Sequence, residues 1–206
     1  MKIWISIAAM LMATDATAQT VILSGGYFRD IKRFSGDPEM NVLNTDANGL
    51  QLGVGTLVVP RVLVTLEFGR SEETSVSRTT SISYLGQPVD IRTLYANRLT
   101  TWSALFGLRT AATQRIQLTY LGGVAFFHVS RRITSESQAV FLPSPPPPTS
   151  SFTVDNVAGP TVGIDAGIKA TDHFAIVFAM RVQALRISAD LAGISMRPGV
   201  EAQFSF

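Results

Sequence analysis

The sequence predicts an all-β fold: an eight-stranded antiparallel up-and-down transmembrane β-barrel with short periplasmic turns and longer extracellular loops. Three observations carry this. Apolar residues recur at every second position through most of the chain. The runs that do so number eight, an even count. The links between them alternate between short and long. Composition agrees. Of 206 residues, 46% are hydrophobic and only 16% charged, against about 25% in a soluble domain. Yet no apolar run in the body approaches the roughly 18 residues of a membrane helix. A net charge of +2 argues against disorder and against a basic nucleic-acid binder. With no Cys, a disulfide framework and a thiolate metal site are excluded.

The elements follow in order. Residues 1–18 read as a secretory signal peptide, with a basic start at Lys2, an apolar stretch Ile3 to Met12 and small residues at Ala16 and Ala18. The barrel domain is then 19–206. A first, weakly alternating strand is expected at about 20–30. In 48–58, Leu50, Leu52, Val54 and Val58 share one face, and Gly49, Gln51, Gly53 and Gly55 the other. Strands turn successive side chains to opposite faces, so one face is apolar and one small or polar. The pattern repeats at 62–70, 162–169, 174–183 and 196–206, and more weakly at 92–109 and 116–131. Short links at 59–61, 110–115 and 170–173 alternate with longer ones at 31–46, 75–91 and 132–152, and a modest one at 188–194. Residues 71–83, rich in Ser and Thr, extend strand three and its loop beyond the bilayer. Alternating link lengths are the habit of outer-membrane barrels.

A soluble β-sandwich or lipocalin-like barrel also alternates, but turns its apolar face inward and shows a richly polar face to water. Here the second face is rich in Gly, with occasional charges, which suits a narrow lumen. The inward charges are Glu67, Asp165, Lys169, Arg181, Arg197 and Glu201. Buried charges must be paired, so they are expected to form a polar plug of ion pairs. A gate or conduit that opens when the pairs rearrange is the alternative. Tyr27, Phe68, Trp102, Phe106, Tyr120, Phe126, Phe174, Phe178, Phe204 and Phe206 are placed outward, several near strand ends, where aromatic rings favour the membrane interface.

With the signal peptide, the eight strands, the alternating links and the tail Ala202-Gln203-Phe204-Ser205-Phe206 in place, the sequence resembles the small eight-stranded outer-membrane β-barrel family of the OmpA/OmpX type, a porin-like barrel domain. The resemblance spans the mature chain. It implies that Phe204 and Phe206 form the signal read by the barrel-assembly machinery, with Glu201 where the commonest pattern has Gly. It implies integral outer-membrane localisation, with membrane lipid and lipopolysaccharide as partners. The wall-anchoring role of longer members is not implied.

Other candidate chemistry is sparse. His128 and Ser130 share one face of strand five, with Glu136 following, an arrangement similar to that of the outer-membrane lipid A deacylases; Arg131 stands where those enzymes commonly carry Asn. His173 falls in a short turn. Pro143 and Pro145 to Pro148 form a stiff loop segment. Arg70, Arg78, Arg98, Arg131 and Arg132 lie near the outer rim, facing anionic head groups. No motif for a metal, phosphate or dinucleotide is present, so no cofactor is expected. The expected role is non-enzymatic: structural, and interactive through loops 31–46, 75–91 and 132–152. A small gated channel for ions or small solutes is the alternative, ahead of a deacylase-like enzyme.

Overall fold

The computed structural model describes residues 20–35, 44–84, 86–111, 115–138, 147–186 and 192–206. The expected signal peptide lies outside these residues, as do Pro143, Pro145 and Pro146.

The strands are β1 (Val21–Ser35), β2 (Ala47–Val59), β3 (Val62–Ser71), β4 (Thr74–Tyr84), β5 (Gln87–Ala111), β6 (Ile116–Gln138), β7 (Thr149–Lys169), β8 (Phe174–Arg186) and β9 (Ala192–Ser205). Every pairing is antiparallel, in the order β3-β2-β1-β9-β8-β7-β6-β5-β4, and a further β3–β5 pairing closes the ring. The closed ring therefore has eight strands. The ninth, β4, is the outward continuation of β3 past a break at Glu72 and Glu73, and among the described residues it pairs only with β5. The seam between β1 and β9 is completed by mutual backbone hydrogen bonds of Val21 and Phe206.

Alternation explains why these residues form these walls. On β2, Leu50, Leu52 and Val54 are exposed, and Gly49, Gln51 and Gly55 are buried. On β8, Ile176 and Phe178 face out, and Val177, Ala179 and Arg181 face in. The apolar exterior includes Leu50 at 67% and Trp102 at 57% exposure. In water such a surface is unfavourable; against lipid it is the correct solvent match.

Two features differ from the sequence expectation. First, the lumen holds large apolar clusters beside its Gly and charge. Ile22, Leu63, Leu105 and Leu121 form one buried apolar cluster, and Leu99, Ala125, Phe127, Val129 and Leu185 another. An eight-strand interior is just wide enough to be filled by side chains, so large apolar groups pack wherever no charge needs a partner.

Second, much of what was expected to be loop is strand. β1 runs on to Ser35, β5 begins at Gln87, β6 continues to Gln138, and β7 begins at Thr149. The expected loop 75–91 is a hairpin of β4 and β5, turned at Gly86, whose φ of 78° suits glycine. Together β4, β5, β6 and β7 rise past the barrel as a four-stranded sheet, since β7 meets β8 only over Thr161–Lys169.

Candidate functional site: a cross-braced lumen

The lumen gathers its charges around two guanidinium groups, each reaching the opposite wall. Arg181 is held on β8, with only 2% of its surface exposed. Its Nε donates to Glu67 Oε2 at 3.2 Å and its Nη2 to Glu67 Oε1 at 2.6 Å. Glu67 lies on β3, four places from β8 in a ring of eight, which is diametrically across. The same guanidinium donates to Asp165 on neighbouring β7, through Nη1 and, at 3.2 Å, through Nη2 to Oδ2. One planar fork thus binds two carboxylates, the geometry that favours Arg over Lys.

Arg197 makes the second brace. From β9 its Nη2 donates to Thr101 Oγ1 at 2.6 Å on β5, again four places round the ring. The same nitrogen lies 3.5 Å from Asp30 on β1, and the guanidinium stacks 4.8 Å over the Phe28 ring. Asp30 also accepts from the Ser195 hydroxyl and lies 3.9 Å from Lys32 Nζ, which in turn reaches Asn97. Glu201 accepts from Gln51 Nε2 at 3.0 Å.

Small residues make room for these groups. A Cβ at Gly163 would stand 2.8 Å from Arg181 Cδ, and one at Gly26 would stand 2.6 Å from Glu201 Cγ. Gly163 and Gly26 thus clear the paths of two charged side chains, while Gly49 clears that of the Phe28 ring.

Of the six sequence-predicted lumen residues, Glu67, Asp165 and Arg181 meet in one network. Arg197 centres the second, and Glu201 is buried beside Gln51. Lys169 is exposed at the end of β7 and stands apart from all of them. Sequence reasoning missed Asp30 and Lys32, both buried. The signal was present: they fall in phase with Ile22 and Phe28, had the first strand been carried past residue 30. Thr101, Asn97 and Ser195 were missed because uncharged polar residues do not stand out on a face of mixed chemistry.

Outside the lumen, Phe204 and Phe206 are exposed at 47% and 72%, with Phe204 packed 5.0 Å from the Phe174 ring. Of the outer-rim arginines, Arg131 pairs with Asp155, and Arg98 lies 3.6 Å from Glu73. His128 Nδ1 is hydrogen-bonded to Asn156 Oδ1 at 2.9 Å. Ser130 follows on the same strand, but Glu136 lies six residues further along continuous β6, roughly 20 Å at strand rise. The three do not assemble into a relay. His173 Nδ1 bonds the Ser205 carbonyl oxygen at 2.9 Å in a short turn. Among the described residues, no cluster of three His, Asp or Glu side chains is placed to hold a metal.

A closed ring of eight antiparallel strands with a lipid-matched exterior and a filled lumen defines a small integral β-barrel of the bacterial outer membrane, with the fold of the OmpA/OmpX type. No known family model and no curated protein sequence matches this sequence. Solved structures do. The attachment invasion locus protein Ail of Yersinia pestis aligns with a TM-score of 0.50 and 14% identity, covering 90% of this chain and 98% of its own. A major outer membrane protein from Thermus thermophilus aligns with a TM-score of 0.49 and 11% identity, over 92% and 100% of the two chains. The likeness to Ail is one of fold.

Proposed function

We propose that this protein is a non-catalytic outer-membrane barrel whose braced lumen keeps the wall rigid and whose outward sheet makes contacts at the cell surface. The sheet of β4–β7 is the observation that carries this reading. Among the described residues, β4 pairs on one side only, with β5, and the outer part of β7 only with β6. Both leave a row of backbone donors and acceptors open. Such edges are usually blunted by Pro, Lys or bulges. The β4 sequence, TSVSRTTSISY, has no Pro or Lys and one charge, Arg78. An edge of this kind adds an extended strand from a partner by backbone pairing.

The test is to replace residues 76–95 with a tight turn. The variant is expected to keep the barrel, read by heat-modifiable electrophoretic mobility, and to lose surface attachment in a cell-adhesion assay. Undiminished attachment by cells carrying the folded variant would sink the reading. The occupied lumen supports a rigid wall over a conduit, because both guanidinium groups join opposing strands and apolar clusters fill the space beside them.

A further inference from the structure

We propose that the outer part of the lumen binds one small monovalent anion of the halide class, held by Lys32 and Arg197 together with Thr161 and Asn97. The proposal goes beyond the surface-contact reading and does not depend on it, since it concerns the inside of the wall.

Four strands set one polar rung across the lumen. Lys32 on β1 lies opposite Ser195 on β9, Ser195 opposite Gln183 on β8, and Gln183 opposite Thr161 on β7. Directly opposed residues share a face, so all four point inward, and all four are buried. Arg197 follows Ser195 by two residues on the same face of β9, one step towards the periplasm. From the far wall, Asn97 on β5 meets Lys32. Outward of this rung the filling turns apolar. Phe34 and Leu185 both lie opposite Gly193, and they pack with Leu99, Phe127 and Val129. On the periplasmic side, Arg181 lies opposite Arg197 and is taken by Glu67 and Asp165. The rung is thus enclosed from both sides. In such a site charge and unpaired polar groups count for more than they do in water.

The charges and hydrogen bonds here do not close on themselves. Lys32 and Arg197 share a single carboxylate, Asp30, while Glu67 and Asp165 are engaged by Arg181. Lys32 Nζ lies 3.9 Å from Asp30 and 3.5 Å from Asn97 Oδ1. Both distances exceed the roughly 2.7–2.9 Å of a charge-assisted bond. Among the described residues, Arg197 Nε, Asn97 Nδ2, Thr161 Oγ1 and Gln183 Oε1 are buried and unpartnered. The first three can donate a proton, and Gln183 can do so by turning its amide. Surplus positive charge and spare donors in a desolvated site call for an anion. The donors come from separate strands, β1, β5, β7 and β9. They do not form the planar fork that takes a carboxylate or phosphate, and so they suit a single spherical ion. One such ion brings Lys32, Arg197 and Asp30 to neutrality.

The test uses the full mature chain, crystallised from detergent in sodium bromide, with anomalous diffraction at the bromine edge. A bromide peak within hydrogen-bond reach of Lys32 Nζ and Arg197 Nε is expected. Ordered water alone at that place overturns the proposal. In solution, urea unfolding is compared in sodium bromide and in sodium gluconate at equal concentration. With bromide at about ten times its dissociation constant, the unfolding equilibrium constant should be about tenfold smaller than in gluconate. Thr161→Val, which keeps the side-chain shape and every charge, should reduce that ratio several-fold, and Lys32→Met should abolish it. No difference between the two salts in wild type, or an undiminished ratio in either variant, overturns the proposal and marks a crystal peak as an adventitious ion only. Folding of each variant is read by heat-modifiable mobility. If Lys32→Met fails to fold, Thr161→Val decides between the same outcomes.

Discussion

Arg181 is the residue on which the lumen most depends, because among the described residues it alone in the lumen pairs with two carboxylates. Removing one partner from a buried ion pair leaves uncompensated charge and costs about 3–5 kcal/mol. Arg181→Met should lose about that much stability in urea unfolding from lipid vesicles. Adding Glu67→Gln and Asp165→Asn should recover most of it, since no orphan charge then remains. At the rim, a hydrogen bond from Arg29, seconded by Arg33, holds the Asp46 carboxyl below its usual range. A carboxylate lowered on folding adds stability above its unfolded pKa, and that stability is lost as pH falls through the native value. The rim cluster should therefore persist at neutral pH and release in acid. In a carboxyl-carbon NMR titration, Asp46 should have a midpoint below that of free aspartate, and Arg29→Ala should raise it. At this scale the sequence was informative where phase was certain. Glu67 and Asp165 share a face with glycine in clean alternating runs, and Arg181 shares one with Ala175 and Ala179. Asp30 and Lys32 continue the phase of Ile22 and Phe28, but at and beyond the end of the weakly alternating run read at 20–30.

The elements show where alternation ceases to be a guide. Strands inside the bilayer are forced to alternate because lipid and lumen are different solvents, and so β2, β3 and β8 were readable nearly to their ends. Above the membrane both faces meet water, the constraint disappears, and Ser, Thr and charged residues occupy both sides of β4 and the outer halves of β5, β6 and β7. Pairing with a neighbour then decides strand or loop, and one sequence does not carry that information locally. The final strand is a separate case. β9 closes the ring on β1, and its outward Phe204 and Phe206 remain our proposal for the assembly signal. Phe204→Ala/Phe206→Ala should reduce the amount of barrel in the outer membrane several-fold, by immunoblot of membrane fractions, while detergent refolding of the purified chain proceeds at its normal yield. A matching loss of refolding would assign these rings to stability instead.

For the whole molecule, the alternating pattern, the link lengths and the even strand count were enough to identify an eight-stranded membrane barrel, and the closed ring agrees. The contents of the lumen were less legible, because contacts between opposite walls such as Arg181 with Glu67 depend on shear and closure rather than on local sequence. We propose that a lumen crossed by two braces and packed with two apolar clusters is closed to solute. In planar bilayers the wild-type chain should show conductance indistinguishable from lipid alone, whereas steady single-channel steps would restore the gated-channel reading. Arg181→Met tests the same point from the other side, since loosening the brace is the change most suited to producing sporadic openings.

The outward sheet also sets a height. β6 continues from Arg131 to Gln138 beyond the level of the Arg98–Ser130 pair, which is roughly 27 Å of contour at about 3.4 Å per residue. Even with the tilt of a barrel strand, its tip stands well clear of the lipid head groups. The edge of β4, unpaired among the described residues, therefore rises from the level of Asn97 towards that height, and the partners proposed for it are those that reach to that altitude. Shortening β4–β5 and β6–β7 in step, two residues per strand at a time, would lower this platform without altering its edge and so measure how far a partner extends towards the cell.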